Sequence, residues 1–585
     1  MGVLPSPLAG SLLVAGVWLA VAVAGLIPAG NAAIARRFAF PLGALAGVAL
    51  AALGLQTVWL PLQTISGRLT LISLQYHVFL ASMAFVLLAD DAYLFMVAWE
   101  TMALSSYFLV ITDHHLPAIR RAGFLYLLIA HLGAIAILLC FGVLHGGRGD
   151  YTFDALRAAQ LQPEWASVAF LLAFFGFGAK AGMIPLHAWL PEAHPAAPSP
   201  VSALMSGIMI KTAIYGMVRV IFDLIGGMSG SVRWEWGMVV LVVGAGTTLF
   251  GVLYALVQHD LKRLLAYHSV ENIGIILLGL GMAMVFIGFG HPAAGVLGLI
   301  AALYHTLNHA VFKGLLFLGA GSILHSTGMR NLNDMGGLIR GMPKTAFYFL
   351  IGALAISALP PLNGFVSEWL TFQAALQATV LQHGVVRSLL PLFAATLALA
   401  GALTAMCFVK VYGIAFLGRP REPAHRSPLP HAGDAGPMER YGMAWLAAAS
   451  YSPVIFFVVI LAVTLLAFVL VRRFYHGRLR FSDPWDCGYP EQTSRMQDTA
   501  DAFGQPIRHV FGPIYRMDRR LPGPEDTEPR YSLKVDDRHW YWLYLPVARA
   551  AEFVSSKIAL LQQGRISIYL LYSFITLIAL LVFVR

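Results

Sequence analysis

Long apolar runs separated by short polar turns dominate this sequence. About 20 apolar residues are needed for a helix to cross a bilayer, so the runs predict roughly fourteen transmembrane helices and an all-α polytopic membrane protein. The predicted spans are residues 8–28, 40–60, 71–89, 92–112, 121–143, 166–190, 200–224, 237–258, 264–288, 293–323, 344–381, 389–417, 454–474 and 565–584.

Two of these runs are interrupted by proline and glycine. The run 166–190 leads into a series of prolines, and the run 344–381 contains Pro360, Pro361 and Gly364. Proline breaks the helical hydrogen-bond ladder, and within a membrane such a break is tolerated only beside protein or a water-filled cavity. A matched pair of broken helices is typical of inverted repeats in transporters. We therefore expect two inverted repeats, at 71–224 and 237–417, each with one broken helix.

The N-terminal helices at 1–70 and a C-terminal part at 418–585 flank these repeats. The C-terminal part contains a polar loop at 418–440 and a proline-rich polar segment at 472–546. Residues 548–563 have apolar positions at helical spacing with basic residues opposite, which predicts a helix lying along the membrane surface. This part has no catalytic pattern, so we expect it to dock partner subunits.

Composition supports a membrane protein and excludes several other classes. The chain has 585 residues, of which 58% are hydrophobic and 12% are charged, whereas a soluble protein has about 25% charged residues. The net charge of +10 is concentrated in loops, which fits positive-inside bias better than nucleic-acid binding. Basic residues follow predicted helices four, eight, ten and twelve, so that side is predicted to be cytoplasmic. They include Arg120, Arg121, Lys262, Arg263, Arg330, Arg340, Lys344, Arg419, Arg421 and Arg426.

The cysteine pattern indicates that the chain has no cofactor of its own. Cys140, Cys407 and Cys487 lie far apart, without the paired spacing of a zinc site or metal cluster. Any redox chemistry is therefore expected on another subunit.

Glu100 and Lys180 lie near the middle of apolar runs. An ionisable side chain at mid-membrane costs about 3 kcal/mol on insertion scales, so it normally faces a polar interior and marks an ion path. No basic residue lies at a neighbouring helical position to Glu100, and Lys180 is the natural partner on another helix. The pair is predicted to be a tunable element for holding protons, with a static ion pair between two helices as the alternative.

A second group of ionisable residues follows. Lys211 lies mid-helix among small residues, and His305, His309 and Lys313 recur at i, i+4 and i+8, which places them on one helix face. Imidazole can both donate and accept a proton near neutral pH, so a proton relay is predicted. The alternatives are a structural role for Lys211 and a two-histidine metal site. No Glu or Cys at ligand spacing accompanies the histidines, so we expect no metal.

Glu368 follows the second helix break and is predicted to end the polar series on the far side. Three residues are weaker candidates. His131 is a lone histidine in an apolar helix and could be a core residue, while His268 and Glu271 lie close to a helix start and could be solvated. The order of acids and bases along the chain favours a file of side chains that moves protons at mid-membrane.

From Val78 to Leu417 the chain resembles the antiporter-like family shared by respiratory complex I, Mrp-type cation/proton antiporters and energy-converting membrane-bound hydrogenases. The motifs AWETM around Glu100 and GAKAGMIPLHAWLPEAHPAAPSPVSAL around Lys180 carry this resemblance. It implies that Glu100 is the essential glutamate of the family and Lys180 its broken-helix lysine.

The same resemblance implies that Lys211, His309 and Glu368 are the middle lysine, the following histidine and the exit glutamate. Residues 483–515 and 560–583 resemble the hydrogenase-type branch, in the large antiporter-like subunit of formate hydrogenlyase. The implied partners are membrane and peripheral subunits of a hydrogenase-like or complex I-like assembly, including iron–sulfur and nickel–iron subunits. The implied location is the cytoplasmic (inner) membrane of a bacterium.

We therefore expect a non-redox, proton-translocating subunit that couples electron transfer elsewhere in the complex to proton movement. One alternative is a stand-alone or Mrp-type cation/proton antiporter that also moves sodium. The other is an assembly scaffold whose charged residues no longer function.

Overall fold

A computed structural model of the chain describes residues 67–421 other than 148, 160 and 226–232. In the C-terminal part it describes residues 496–523, 525–526 and 532–559, with a few single residues between 465 and 493. The chain divides into two compact units, Met1–Gln505 and Pro506–Arg585.

The first unit is a helical bundle. Its first half contains helices α1 (Gly67–Leu88), α2 (Ala92–Val110), α3 (Pro117–His145), α4 (Phe153–Ala158), α5 (Pro163–Ala181), α6 (Trp189–Ala196), α7 (Ser199–Leu204) and α8 (Ile210–Val218). Its second half contains α9 (Trp234–Leu256), α10 (Leu261–Gly288), α11 (Pro292–Thr327), α12 (Pro343–Ile356), α13 (Asn363–Leu376) and α14 (Gly384–Phe416).

Helix boundaries follow from capping chemistry. Asp91 precedes α2 and accepts a hydrogen bond from the Leu94 backbone N–H at 2.8 Å, and Asp260 does the same for Arg263 at the start of α10, at 2.9 Å. These carboxylates satisfy N–H groups that have no partner inside the helix. At the other end, α3 stops at Gly146, whose φ of 59° is left-handed and suits glycine best.

All ten spans predicted between residues 71 and 417 are helical. Seven described helices are long and apolar enough to cross a membrane, namely α2, α3, α5, α9, α10, α11 and α14. The predicted spans 8–28, 40–60 and 565–584 lie outside the described residues, as does all but a few residues of 454–474.

Both predicted helix interruptions are present. Helix α5 ends at Gly182, which has a left-handed φ of 80°, and the chain resumes as α6 after an irregular stretch. The Trp189 indole at the start of α6 donates to the Ala179 carbonyl at 2.9 Å, which holds the two pieces together. In the second half, α12 ends at Ile356 and α13 begins at Asn363.

Helix α10 is the buried centre of the second half, with 94% of its most apolar window covered by the rest of the chain. Glycines let α9 approach it closely. A Cβ atom added at Gly237 would lie 2.8 Å from the Gly281 carbonyl oxygen, and one at Gly244 would lie 3.0 Å from the Leu277 Cβ. Small residues allow this close backbone approach between membrane helices. This packing buries the side chains of α10 from Leu261 to Phe286, with the exception of Arg263.

The C-terminal part contains α15 (Ala500–Val510), an antiparallel hairpin of β1 (Arg516–Arg520) and β2 (Ser532–Asp536), and α16 (Leu545–Ala559). In the hairpin, Arg516 pairs with Asp536. The helix predicted at 548–563 corresponds to α16, which begins three residues earlier. The hairpin was not predicted, because β1 is almost entirely charged and the apolar alternation of β2 covers only Leu533 and Val535.

Candidate functional site

Lys180 lies in the last turn of α5 and is only 2% exposed. Its Nζ donates to the Tyr126 hydroxyl at 2.7 Å and lies 4.9 Å from the centre of the Tyr126 ring. The same hydroxyl is 2.5 Å from the Ser106 Oγ. Lys180 is therefore held by a chain of two neutral hydroxyl groups that extends toward α2.

Glu100 does not pair directly with Lys180, which corrects the expected contact. Its side chain is 35% exposed, and its Oε2 is 3.9 Å from the His131 Nδ1 on α3. Ser106, which faces Lys180, lies six residues further along α2, or about 1.7 helical turns. Glu100 is consequently rotated by about 120° from that face.

His131 is likewise not a core residue. Its side chain is 47% exposed and lies beside Glu100 at the edge of the bundle. Apolar side chains such as Val97 and Ile135 are exposed on the same two helices. The first acid of the series therefore lies on a face of the bundle, together with a histidine.

Lys211 is the second residue of α8, which follows directly after a π-helical turn, Met205–Met209. Its Nζ donates to the Ser206 carbonyl at 2.5 Å and contacts the His309 Nδ1 on α11. A π turn widens the helix by one residue and often occurs at functional sites. The Lys211–His309 contact joins the two halves of the bundle directly. The apolar pattern predicted a regular helix here and could not show the π turn.

The face predicted for α11 is buried as expected, since His305, His309 and Lys313 are at most 1% exposed. The His305 and His309 rings are stacked with centroids 6.4 Å apart. His305 contacts the Asn272 Oδ1 at 3.1 Å and the Ser367 Oγ at 2.9 Å. This histidine therefore connects α10, α11 and α13.

Lys313 continues the same face one turn further. Its Nζ donates to the Leu265 carbonyl of α10 at 2.5 Å. The lysine is fully buried, and a buried ammonium group needs partners to offset its lost hydration. A backbone carbonyl supplies one such partner without neutralising the charge.

His268 and Glu271 are not solvated, which corrects the second expectation. Their side chains are 0% and 2% exposed, and the His268 Nδ1 is 2.5 Å from the Glu271 Oε2. The hydroxyl of Thr404 on α14 donates to the other carboxylate oxygen. Their burial arises because α10 begins at Leu261, earlier than predicted, and is enclosed by neighbouring helices. The two residues form a buried acid–base pair.

Glu368 lies on α13 just after the second break and is 6% exposed. A Cβ atom added at Gly401 would be 3.6 Å from its Oε2, so this carboxylate faces α14. Asn308 and Asn363 exchange two hydrogen bonds, at 2.9 and 3.1 Å, which fix the break against α11. The two asparagines therefore position the start of the helix that carries Glu368.

Several buried polar residues around this site were missed by the sequence analysis. His187 and His194 lie in and after the first break and are fully buried, and His194 packs on Phe317 with ring centroids 4.9 Å apart. Lys262 donates to the Ala197 carbonyl, and Lys410 donates to the Leu256 carbonyl at 2.6 Å. From the sequence, a lysine near a helix end is expected to be solvated. The proline-rich stretch around His194 is likewise typical of an exposed loop, so the burial of this histidine was not predicted.

The contacts form separate short segments. One runs from Ser106 to Lys180, a second joins Lys211 to His309, a third centres on His305, and a fourth is the His268–Glu271 pair. Proton transfer from one segment to the next requires a bridging water or a side-chain movement. Such an arrangement can store protons in steps and allows each step to be gated.

Comparison with known proteins places the chain in a family. Residues 89–394 match the model for the NADH:quinone oxidoreductase/Mrp antiporter transmembrane family. Hydrogenase-4 component B of Escherichia coli K12 is 39% identical over 562 residues, covering 86% of this chain and 82% of that protein. Formate hydrogenlyase subunit 3 of the same organism is 36% identical, covering 77% and 76% of the two chains. A subunit of the archaeal membrane-bound sulfane sulfur reductase has the same fold, with a TM-score of 0.68, 22% identity and 99% and 100% coverage.

Proposed function

Because the chain belongs to the NADH:quinone oxidoreductase/Mrp antiporter transmembrane family, we propose that Glu100, Lys180, Lys211, His309 and Glu368 carry protons through it. In this proposal the chain has no redox site and moves protons when electron transfer occurs elsewhere in its complex. The observation that carries the proposal is the buried contact between Lys211 and His309, which joins the two halves of the bundle. His305, Lys313, His268 and Glu271 extend the same file, and His131 adjoins its first acid.

Moving one charge against 100 mV costs about 2.3 kcal/mol, so each proton step needs an input of this size. In this proposal the input comes from electron transfer elsewhere in the complex. Glu100 and His131, whose side chains lie 3.9 Å apart and are partly exposed, form an ion pair only while His131 is protonated.

We propose partners and location from the relatives. Their names describe them as a component of hydrogenase-4 and a subunit of formate hydrogenlyase, and both are similar to this chain over most of its length. The proposed partners are therefore membrane subunits together with peripheral iron–sulfur and nickel–iron hydrogenase subunits. The proposed location is the cytoplasmic membrane of a bacterium.

The test is redox-driven proton uptake by the assembled complex in proteoliposomes, with Lys180→Ala compared with wild type. Lys262→Met is the matched control, because it also removes a buried lysine, one that donates to the Ala197 carbonyl and not to a side chain of the proposed file. We expect Lys180→Ala to lose proton uptake while the complex stays assembled, and Lys262→Met to retain it. Unchanged uptake in Lys180→Ala would leave the chain a scaffold or a pump with another path.

The family also includes Mrp antiporters, so the same vesicles decide between the two transport functions. Proton efflux driven by a sodium gradient without any electron donor would identify a cation/proton antiporter. Proton uptake that needs the electron donor and ignores sodium supports the proposed function.

A further inference from the structure

A partly open cavity of about 250 Å³ lies where α14 leaves the bundle. It is lined by the helix residues Lys410 and Gly413 and by the polar residues Arg421, Gln497 and Asp498. Arg421 belongs to the basic residues that mark the predicted cytoplasmic side. The rest of its lining is apolar, from Val409, Ile414, Leu417 and Phe503. The cavity therefore brings open, partly polar space from the predicted cytoplasmic side to a buried lysine.

Lys410 is 1% exposed, and its Nζ donates to the carbonyls of Leu256 at 2.6 Å and Gln258 at 3.0 Å. These carbonyls lie at the end of α9, just before α10 begins. A lysine at the C-terminal end of a helix is stabilised by the helix dipole. One interpretation of Lys410 is therefore purely structural, as for Lys262, which donates to the Ala197 carbonyl in the same way and does not line this cavity.

Lys410 differs because its helix leads directly to the buried acid–base pair. Two residues before it, the Phe408 ring lies 4.7 Å from the His268 ring, centroid to centroid. One turn further, Thr404 donates to Glu271. Six residues of helix span about 9 Å, so Lys410, His268 and Glu271 follow one another in depth from the face of the bundle inward.

We propose that this cavity is an aqueous route by which protons enter the second half of the file from the predicted cytoplasmic side. The inference rests on the proposed function. A proton from water in the cavity binds the Nζ of Lys410, which passes a proton to the Nε2 of His268. Where these two nitrogens are not in contact, a water molecule carries the proton between them. His268 then releases its Nδ1 proton to the Oε2 of Glu271. Each step moves one proton between two lone pairs, and no oxidant or reductant is needed.

The sharpest variant is Gly413→Cys, because a Cβ atom at Gly413 meets nothing within 4 Å and points a thiol into the cavity without disturbing Lys410. Gly246→Cys on α9 is the matched control, since its added Cβ is also free of contacts and it does not line the cavity. Both are made in a Cys487→Ser background, and the other two cysteines are buried. A bulky, membrane-impermeant methanethiosulfonate reagent is added from the predicted cytoplasmic side of the assembled complex in proteoliposomes.

We expect modification of Gly413→Cys to lower redox-driven proton uptake at least fivefold, with recovery after the disulfide is reduced. Modified Gly246→Cys should keep its activity. Lys410→Met should slow uptake while Lys262→Met does not. The proposal is overturned if Gly413→Cys is fully modified, by mass spectrometry, without loss of uptake, or if the reagent cannot reach it from that side.

Lys180→Ala in the same vesicles separates this inference from the proposed function. If Lys180→Ala abolishes uptake and modified Gly413→Cys does not, the file is correct and the cavity is not its entrance. If modified Gly413→Cys blocks uptake and Lys180→Ala does not, the entrance is correct and the first half of the proposed file is wrong.

Discussion

Replacement of Tyr126 by phenylalanine is the most direct test of how Lys180 is held. The hydroxyl of Tyr126 accepts from the Lys180 Nζ at 2.7 Å and lies 2.5 Å from the Ser106 Oγ. Phenylalanine has the same ring, so the packing against Trp189, with centroids 4.9 Å apart, is retained. The substitution therefore removes one hydroxyl group, which is the partner of Lys180 and Ser106 and also donates to the Met209 Sδ at 3.6 Å, and it leaves the ring in place.

The expected effect can be worked from this geometry. A hydrogen bond to a charged group is worth about 1.5–3 kcal/mol, and Lys180 is only 2% exposed, so bulk water cannot replace the lost hydroxyl. At about 1.4 kcal/mol for each factor of ten, the ratio of charged to neutral Lys180 falls about 10- to 100-fold. If this ratio limits proton transfer, proton uptake should fall by about the same factor.

The assay is redox-driven proton uptake by the assembled complex in proteoliposomes, measured with a pH-sensitive dye. Tyr254→Phe is the control, because Tyr254 is a buried tyrosine on α9 whose ring stacks on Tyr267 of α10, with centroids 5.6 Å apart. The amount of assembled complex is quantified for each variant before uptake is compared. Uptake within twofold of wild type in Tyr126→Phe would show that the hydroxyl does not support the charged lysine, and the reasoning would be wrong.

Two further substitutions test how the bundle positions the file. Gly237→Val should lower the thermal stability of the complex in detergent, because a Cβ there would lie 2.8 Å from the Gly281 carbonyl oxygen. Gly246→Val is the control and should leave the stability unchanged, since its Cβ is unobstructed. Equal melting temperatures for the two variants would refute the close approach of α9 and α10. Asn308→Ala removes both hydrogen bonds to Asn363 and should lower the free energy of unfolding by about 1–3 kcal/mol. The assembled complex should also take up protons more slowly. A variant with wild-type stability and uptake would show that this pair does not position the break.

The helical spans, both helix breaks and the burial of the central cations could be predicted from the sequence. These features depend on local properties. An apolar run determines that its helix enters the membrane, and prolines determine where that helix is interrupted. Lys211, His309 and Lys313 are buried as expected, because the residues around them in the same helices are too apolar for a solvated surface.

Which side chains contact each other was decided only by the tertiary structure. Lys180 meets Tyr126, which is 54 residues away in sequence, and Glu100 lies beside His131. The pairing depends on how each helix is rotated about its axis, and six residues along α2 are enough to turn one side chain to Lys180 and the other away from it. The π turn before Lys211 and the burial of His268, Glu271 and Lys410 arise in the same way. A residue near the end of a helix is solvated or enclosed according to the helices that pack around it, and a single run of sequence does not contain that information.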